Sequence, residues 1–432
     1  MFANVFSAGL MPGFRTPPPP PPSSSSARSG PTTVTTAEAA ITARPGDNLR
    51  IEVLADEATS VPEGAPVARL SSHPEIVLVA PMPARVARIG LRPGRRLSEI
   101  VVFHDEAGDR LEHKISAAAR AGDEAALRAL MQAAGFWPRI RRRPFGGMPS
   151  PGERPAALVV MAVDTKPLAL DPRAAITGRE EDLDRGLAAF SGLTDGPVLL
   201  CQGAGTSVAG QGAAGRLRRV TPGAWHPHGL AGHSIHRHCP AGIDTPVWDV
   251  HVEDVTDLGA LLRTGHLPQT RLVKVAGAAL TETRILRCQA GADLRALVYG
   301  AVLPGPHVVL SGSPLDGHPS RWLGARDRQV SVLPAPSAAP QPHWFRAALT
   351  RWSLPRPVIP TAALTQSAGS TFPVMAMVRA LAVGDDETAM KLGVLSLLEE
   401  DLALIDYVIG GDPALMTLLR TMLDRIETEL AA

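Results

Sequence analysis

Cysteine, aromatic residues and long apolar runs are scarce in this 432-residue chain. Cys201, Cys239 and Cys288 are too few and too scattered for a disulfide framework, which indicates a reducing compartment. The longest apolar run, around residues 156–163, is far shorter than the ~20 residues that a membrane helix needs. Lysine and arginine number 43 against 42 acidic residues, so the overall charge gives no indication of nucleic-acid binding. These absences argue against a disulfide scaffold, a membrane-spanning protein and a nucleic-acid-binding protein.

With 45% hydrophobic residues, the chain is long enough to form two to four domains. Residues 1–40 are predicted to be a disordered tail, because the run Pro17–Pro22 followed by Ser23–Ser26 cannot bury a core. Residues 41–115 alternate short apolar segments with Gly and Pro turns, which predicts a small β-sandwich or barrel. This region resembles the lipoyl and biotinyl hammerhead. Its turn at 81–84 contains no lysine, so we predict a structural module without biotin or lipoate.

A strand–helix–strand unit is predicted within residues 116–267. Apolar strands over Ala157–Ala162 and Val198–Cys201 flank a helix over Glu180–Phe190, which indicates a parallel sheet covered by helices. An amphipathic helix over Ala117–Ala134 precedes this unit.

The remaining chain divides into three regions by composition. Residues 268–332 contain several short strand-like segments and are predicted to be a β-rich domain. Residues 333–370 are rich in Pro, Ala and Ser and are predicted to be a linker. Residues 371–432 carry apolar positions at helical spacing and are predicted to be a helical domain.

Histidine is concentrated between Trp225 and Pro240, where five of the 13 histidines lie near Cys239. Zinc needs three or four converging nitrogen or sulfur ligands. Glycine and proline break this segment into turns, and its spacing matches no usual zinc motif. We therefore predict a polar loop with backbone-bonded histidines and no metal site, with metal binding as the alternative.

Four segments, in order along the chain, carry a resemblance to a known family. They are Asp164-Thr-Lys-Pro-Leu-Ala-Leu-Asp-Pro172, His226-Pro-His-Gly-Leu-Ala-Gly-His-Ser-Ile-His236, Gly259-Ala-Leu-Leu-Arg-Thr-Gly265 and Leu392-Gly-Val-Leu-Ser-Leu-Leu-Glu-Glu-Asp-Leu-Ala-Leu404. Collinear matches from about residue 40 to the C-terminus resemble the A subunit of the Na⁺-translocating NADH:quinone reductase. Val163 stands where that family has methionine. The family is similar to the flavin-carrying subunit of respiratory complex I and to the C subunit of the Rnf complex.

The resemblance implies an α/β multidomain fold. Its parts are a barrel-sandwich hybrid (lipoyl-like) β domain over residues 41–115 and a Rossmann-like parallel α/β domain over 116–267. A β-grasp domain over 268–332 and a C-terminal helical domain over 371–432 follow. Isolated cysteines of the family fall at Val394, Ile405 and Ile409 here, so we predict no iron–sulfur cluster, which needs four thiolates.

The resemblance also implies a role in a redox complex. The A subunit is peripheral and sits on the cytoplasmic face of the inner membrane, beside membrane-embedded partner subunits. NADH oxidation, the flavins and the iron–sulfur centre belong to other subunits, and the A subunit has been linked to ubiquinone. We therefore predict a chain with no catalytic residues and no cofactor of its own that contributes to assembly and to the quinone site.

The glycine-rich segment Gln202–Gly215 is the candidate phosphate loop, because it follows a strand. Gly210-Gln-Gly-Ala-Ala-Gly215 matches the bare dinucleotide pattern but begins well beyond the strand end. We predict a mobile surface loop here, with nucleotide or flavin binding as the alternative.

Three other features are candidates for chemistry. The acidic run Glu399–Asp401 is predicted to be a solvated or capping face. Asp164 and Asp171 follow an apolar strand, where ligands of α/β sheets bind, although Asp also makes turns and caps helices. The basic, aromatic segment Phe136–Phe145 is interpreted as a surface for lipid headgroups, an acidic partner or a quinone ring, or else as an interdomain linker. The residues predicted to face quinone or a partner are Phe136, Trp137, Arg141, Arg143, Phe145, Asp164, His226 and His236.

A second hypothesis belongs to a different class of protein. The Pro/Ser tail, the shortened 333–370 region and the absent C-terminal cysteines are compatible with a divergent, non-pumping scaffold or binding protein that keeps the fold.

Overall fold

The computed structural model describes residues 31–43, 47, 49–205, 208, 215–335, 361–411 and 414–431. The strands are β1 (Thr32–Thr33), β2 (Glu38–Thr42), β3 (Ile51–Val53), β4 (Ser60–Val61), β5 (Pro66–Leu70), β6 (Val77–Val79), β7 (Ala84–Arg92), β8 (Arg96–His104), β9 (Arg141–Arg143), β10 (Ala157–Ala162), β11 (Val198–Gln202), β12 (Leu217–Val220), β13 (Val247–His251), β14 (Thr270–Ala276), β15 (Arg284–Gln289), β16 (His307–Ser311), β17 (His318–Pro319) and β18 (Gln329–Pro334). The α-helices are α1 (Ala117–Arg120), α2 (Glu124–Ala133), α3 (Glu180–Ser191), α4 (Ala231–His238), α5 (Val252–Thr264), α6 (Leu294–Val298), α7 (Ala362–Ser367), α8 (Val374–Val383), α9 (Asp386–Lys391), α10 (Glu399–Ile409) and α11 (Leu415–Ala431).

The N-terminal module contains two small sheets. Strands β2-β8-β7-β4 form one and β3-β5-β6 the other, and every pairing in them is antiparallel. Strands β7 and β8 bury Val86, Ile100 and Val102, which belong to one apolar cluster with Ile51 and Val67 of the second sheet. The predicted strand-and-turn architecture is confirmed.

Residues before position 41 extend this module, contrary to the tail prediction. Strand β2 begins at Glu38 and pairs with β8, whereas Thr32 and Thr33 pair with β15 of a different sheet. Between them, the buried Thr36 accepts a hydrogen bond from Gln289 Nε2 at 2.6 Å. The prediction of disorder is therefore wrong for residues 32–40, because their backbone and side-chain polar groups have partners in two sheets. The Pro and Ser runs lie outside the described residues.

A five-stranded sheet of order β12-β11-β10-β13-β9 forms the centre, and β9 is its antiparallel edge. The predicted parallel strand–helix–strand unit is confirmed, since β10 pairs in parallel with both β11 and β13. All six residues of β10 are buried. Leu158 and Val160 face α3 and α5, whereas Val159 and Met161 face α4, so both faces of the sheet are covered.

Two glycines allow α3 and α5 to cross closely. A Cβ on Gly186 would lie 1.9 Å from the carbonyl oxygen of Val255, and one on Gly259 would lie 1.7 Å from that of Asp182. Such distances are far inside van der Waals contact, so any larger residue would push the helices apart.

The single helix predicted over Ala117–Ala134 is two helices. Gly122 has a φ of +85°, and Asp123 Oδ1 accepts a hydrogen bond from Ala126 N at 2.9 Å, which begins α2. Asp123 interrupts the apolar stripe because it is an N-cap residue.

A six-stranded mixed sheet, β1-β15-β14-β18-β16-β17, follows the parallel sheet along the chain. Helices α7 to α11 pack around a separate apolar cluster that contains Leu364, Leu402 and Leu419. The helical structure predicted for residues 371–432 is present as α8 to α11. The region 333–370, predicted to be a linker, contains the end of strand β18 and the whole of helix α7. Residues 336–360 of that region lie outside the described residues.

Candidate functional site

A cleft of about 630 Å³ opens at the carboxyl ends of β10 and β13. The neighbours of β10, namely β11 and β13, lie on opposite sides of it, so this end of the sheet is a topological switch point where α/β proteins bind ligands. Four parts of the chain line the cleft. Residues that represent them are Leu97 and Glu99 of the N-terminal module, Asp164, Lys166 and Asp249 of the α/β region, Ser313 and Asp316 of the mixed sheet, and Leu398 and Glu400 of the C-terminal helices.

Two arginines of the edge strand β9 join the parallel sheet to helix α10. Arg141 lies 3.0 Å from Asp249 Oδ2 and 2.6 Å from Glu400 Oε1. Arg143 is fully buried, forms an ion pair with Asp249, lies 3.2 Å from Asp401 Oδ2, and donates a hydrogen bond from Nε to a backbone carbonyl at 2.8 Å. Both guanidinium groups therefore link carboxylates of two structural units.

Lys166 joins the α/β region to the mixed sheet. Its Nζ atom lies 2.7 Å from Asp316 Oδ2. Burial alone would lower the pKa of Lys166, but the carboxylates of Asp316, Glu400 and Asp164 outweigh burial and hold that pKa above its usual value. Burial raises the pKa of Asp164, although Lys166 opposes the shift. One ammonium group thus stands among carboxylates that come from three different parts of the fold.

Within the acidic run Glu399–Asp401, Glu400 and Asp401 do not form a solvated face, whereas the side chain of Glu399 is 34% exposed. Burial favours the neutral form of Glu400, but Arg141 and Lys166 hold the pKa of Glu400 well below its usual value. Asp401 is 1% exposed and accepts a hydrogen bond from Leu398 N at 2.8 Å, so the capping part of the prediction is correct for this residue. The solvated part is wrong for both residues, because arginines of β9 lie within ion-pair distance of them.

The histidine-rich segment is an interface with the C-terminal helices. His233 Nδ1 lies 2.9 Å from Thr371 Oγ1, and the His236 ring contacts Phe372 edge-on. A Cβ on Gly232 would lie 2.0 Å from Asp401 Oδ2, so only glycine allows this approach of α4 to α10. The predicted backbone-bonded polar loop is wrong from Ala231 onward, where the segment forms helix α4.

Burial keeps these histidines neutral. It lowers the pKa of His226 to about 4 and that of His233 to about 3, because a charged imidazolium would be removed from water. His226 Nδ1 lies 3.5 Å from Thr165 Oγ1, whereas Nε2 has no hydrogen-bond partner among the described atoms. The part of the chain that the structure describes contains no group of three or more His, Cys, Asp or Glu side chains arranged to hold a metal ion.

The basic, aromatic segment Phe136–Phe145 is not an exposed surface, which contradicts the first of the two sequence-based interpretations and leaves a junction between domains as the other. Phe136 and Trp137 are fully buried, and Trp137 donates a hydrogen bond from Nε1 to Pro149 O at 2.8 Å while its ring packs edge-on against Trp248. Phe145 belongs to the apolar cluster of the C-terminal helices. The aromatic side chains stabilise the junction between units instead of facing solvent.

Of the predicted site residues, Arg141 and Asp164 line the cleft. The structure places Phe136, Trp137, Arg143, Phe145, His226 and His236 in packed interfaces away from its wall. Sequence reasoning missed Asp249, Lys166 and Asp316. Asp249 had a detectable signal, since it is a carboxylate in the middle of the apolar strand Val247–His251. Asp316 had none, because its partner lies 150 residues away.

The candidate phosphate loop is described only in part. Residues 206–207 and 209–214 lie outside the described residues, so the prediction for this loop remains a prediction.

Asp171 acts as a turn and cap residue, because its carboxylate accepts a hydrogen bond from Arg173 N at 3.0 Å. Within the described ranges, no helix has both the length and the apolarity needed to cross a bilayer.

The α/β region matches the family model described as the NqrA second alpha/beta domain over residues 122–267. Similarity to individual proteins extends along nearly the whole chain. This chain is 31% identical to the A subunit of the Na⁺-translocating NADH-quinone reductase of Neisseria meningitidis serogroup A over 422 residues. The alignment covers 91% of this chain and 94% of that protein. The same subunit of Rhodopirellula baltica is 32% identical over 401 residues, covering 85% of this chain and 87% of the relative.

The corresponding protein of Pseudomonas aeruginosa is 31% identical over 386 residues, which cover 83% of this chain and 86% of that protein. The fold and the match over residues 122–267 define a multidomain α/β protein. The chain belongs to the NqrA family, the A subunits of Na⁺-translocating NADH-quinone reductases. Among solved structures, an NAD⁺-reducing [NiFe]-hydrogenase in its H₂-reduced state matches 68% of this chain and 62% of its own with 13% identity and a TM-score of 0.37, too low to support a conclusion.

Proposed function

We propose that this chain is the peripheral A subunit of a Na⁺-translocating NADH:quinone reductase, held on the cytoplasmic face by membrane-embedded partner subunits. Its contribution is to assembly, and the chain carries no electron carrier of its own. The observation that carries this proposal is the similarity to NqrA at 31% identity over 91% of the chain. We also propose that its units are a lipoyl-like hybrid, a Rossmann-like domain, a β-grasp domain and a helical domain.

The arrangement of charge in the cleft supports an uncharged ligand. Lys166 and Arg141, the cations nearest the strand ends, are already ion-paired with carboxylates of the chain. A phosphate placed at these strand ends would have to displace those carboxylates, whereas a neutral quinone ring needs only hydrogen-bond donors and apolar contacts. Val163, Ala169 and Leu170 are half-buried in the cleft wall and supply apolar surface to it. We therefore propose the cleft as the chain's contribution to the quinone site.

Affinity purification of the native complex tests the subunit proposal. A tag on this chain, expressed in its native host, is expected to recover membrane-embedded flavoprotein subunits together with NADH:quinone reductase activity. Recovery of this chain without such subunits would contradict the proposal and favour the scaffold hypothesis. An untagged strain controls for nonspecific recovery.

Photo-crosslinking with a quinone analogue tests the cleft. Labelled peptides are expected around residues 161–170 and 311–316. The substitution Ala169→Trp fills the cleft from its half-buried wall and is expected to abolish this labelling. The matched substitution Ala118→Trp, at an exposed position of α1, is expected to leave labelling unchanged. Labelling confined to other parts of the chain would refute the cleft as the quinone site.

A further inference from the structure

A row of arginines crosses the tip of the β7–β8 hairpin. Arg92 of β7 lies directly opposite Arg96 of β8, and on the other side of β8 Arg50 forms a backbone bridge with Arg96. Directly opposite residues of antiparallel strands have Cβ atoms ~5 Å apart on the same face. The three arginine side chains therefore start from neighbouring positions on one face of adjacent backbone segments.

These charges are not neutralised within the described chain. All three arginines are exposed, and none of them forms an ion pair with a residue that the structure describes. By contrast, Arg88, closer to the base of the same hairpin, is paired with Glu99. Like charges directly opposite each other destabilise a sheet, and arginine does not lose its proton to relieve the repulsion. An anionic surface would relieve it.

The rest of the tip has the composition of a membrane-contacting segment. Every residue from Leu91 to Arg96 is exposed, and Leu91 is 40% exposed although its cross-strand partner Leu97 is buried. Successive strand residues point to opposite faces, so Leu91 lies on the face opposite the arginines, and a membrane that meets the hairpin end-on would contact both faces. Cations at headgroup level together with an apolar side chain at the acyl boundary are typical of interfacial segments. An exposed hairpin tip with a row of cations fits an array of phosphates better than it fits one small anion.

We propose that the hairpin tip formed by Leu91–Arg96, with Arg50 beside it, binds anionic lipid headgroups and orients the chain on the membrane surface. The proposal rests on the proposed function for placing the chain near a membrane. Arg92 also lines the cleft, but the ligand proposed for the tip is a headgroup phosphate and not a quinone ring. The contact is electrostatic, so it weakens as salt shortens the range of charge–charge attraction.

Vesicle flotation of the purified full chain tests this proposal. The chain is expected to bind vesicles of phosphatidylcholine mixed with phosphatidylglycerol, to bind pure phosphatidylcholine weakly, and to be released by high salt. Each cation near an anionic surface adds about a factor of five to binding, so the triple variant Arg50→Glu/Arg92→Glu/Arg96→Glu is expected to bind at least about 100-fold more weakly. The control Arg218→Glu/Arg295→Glu/Arg379→Glu changes the net charge equally at other exposed positions and is expected to bind like the wild type.

Equal loss in both triple variants would show a general charge effect and overturn the proposal. So would vesicle binding that does not depend on phosphatidylglycerol. If the wild type ignores vesicles and the hairpin variant instead loses its partner subunits in affinity purification, the tip binds an acidic protein surface and the lipid proposal is wrong. Recovery of the complex without vesicle binding refutes this inference alone, whereas vesicle binding without any recovered complex refutes the proposed function alone. Unchanged circular dichroism shows that each variant folds.

Discussion

Arg143 of β9 and Asp401 of α10 form an ion pair at 3.2 Å although 258 residues separate them, and both side chains are buried. Asp249 of β13 shares the same guanidinium group. The parallel sheet and the C-terminal helices are therefore joined by charges inside the protein, and not only by apolar contact.

Removing that guanidinium group should strongly destabilise the chain. Arg143→Met keeps an apolar side chain of similar length but leaves Asp401 without its cation, and losing one partner of a buried pair costs about 3–5 kcal/mol. Urea unfolding is expected to show a lower free energy of unfolding by that amount. The exposed Arg218→Met is the control and should change it by less than about 0.5 kcal/mol. A small effect at Arg143 would mean that water replaces the lost partner.

A methyl group at the crossing of α3 and α5 should force the helices apart. Gly259→Ala places Cβ 1.7 Å from a backbone carbonyl oxygen, which cannot move as a flexible side chain can. We expect a loss of about 1–3 kcal/mol or more, measured as a lower thermal midpoint. Gly152→Ala, where a Cβ would have nothing within 4 Å, is the control. Equal midpoints for the two variants would contradict the close crossing.

Acid should weaken the chain through its buried histidines. The unfolded chain binds a proton at His233 near the ordinary pKa of 6.5, whereas the folded chain resists protonation down to about 3. Below pH 6.5 the unfolded state therefore binds more protons, and the contribution of His233 to stability, complete above that pH, falls as the pH approaches 3. From about pH 7 to about pH 5 this loss amounts to about 2 kcal/mol.

The variant His233→Gln isolates this effect. It should remove about 2 kcal/mol of the acid dependence between those two pH values, measured by urea unfolding at each. His307→Gln, at an exposed histidine, should leave the acid dependence of the wild type unchanged. An acid dependence that is identical in all three proteins would show that His233 is not the titrating group.

The N-terminal segment should contribute measurably to stability through Thr36. Thr36→Val removes the hydroxyl that accepts from Gln289 Nε2 at 2.6 Å and donates to Glu38 O at 2.6 Å, and it leaves the buried amide less well bonded. The expected loss is about 1–3 kcal/mol in the free energy of unfolding. Thr59→Val, at an exposed threonine, is the matched comparison. No difference between them would indicate that residues 32–40 detach readily from the two sheets.

Sequence patterns predicted the secondary structure well where one physical rule governs a segment. The uninterrupted apolar strand Ala157–Ala162 indicated burial on both faces, and helical spacing predicted the helical region 371–432, which includes Leu415–Ala431. The site was predicted less well, because periodicity reports burial but not the partner of a buried charge. Arg143 was interpreted as part of a contact surface or of a linker, because its carboxylate partners lie more than 100 residues away and the sequence does not reveal them. The family motif around His236 was recognised, but its role as an interface required coordinates.

The lysine and arginines that hold the cleft together also set the limits of what can be studied in isolation. A fragment that begins at residue 361 would carry Glu400 and Asp401 without the basic residues that neutralise them. A fragment that ends before residue 361 would lack helix α10, and Arg143 would lose its partner Asp401. Expression of separate pieces for crystallography or binding assays should therefore yield insoluble material, and co-expression of the two halves should rescue solubility.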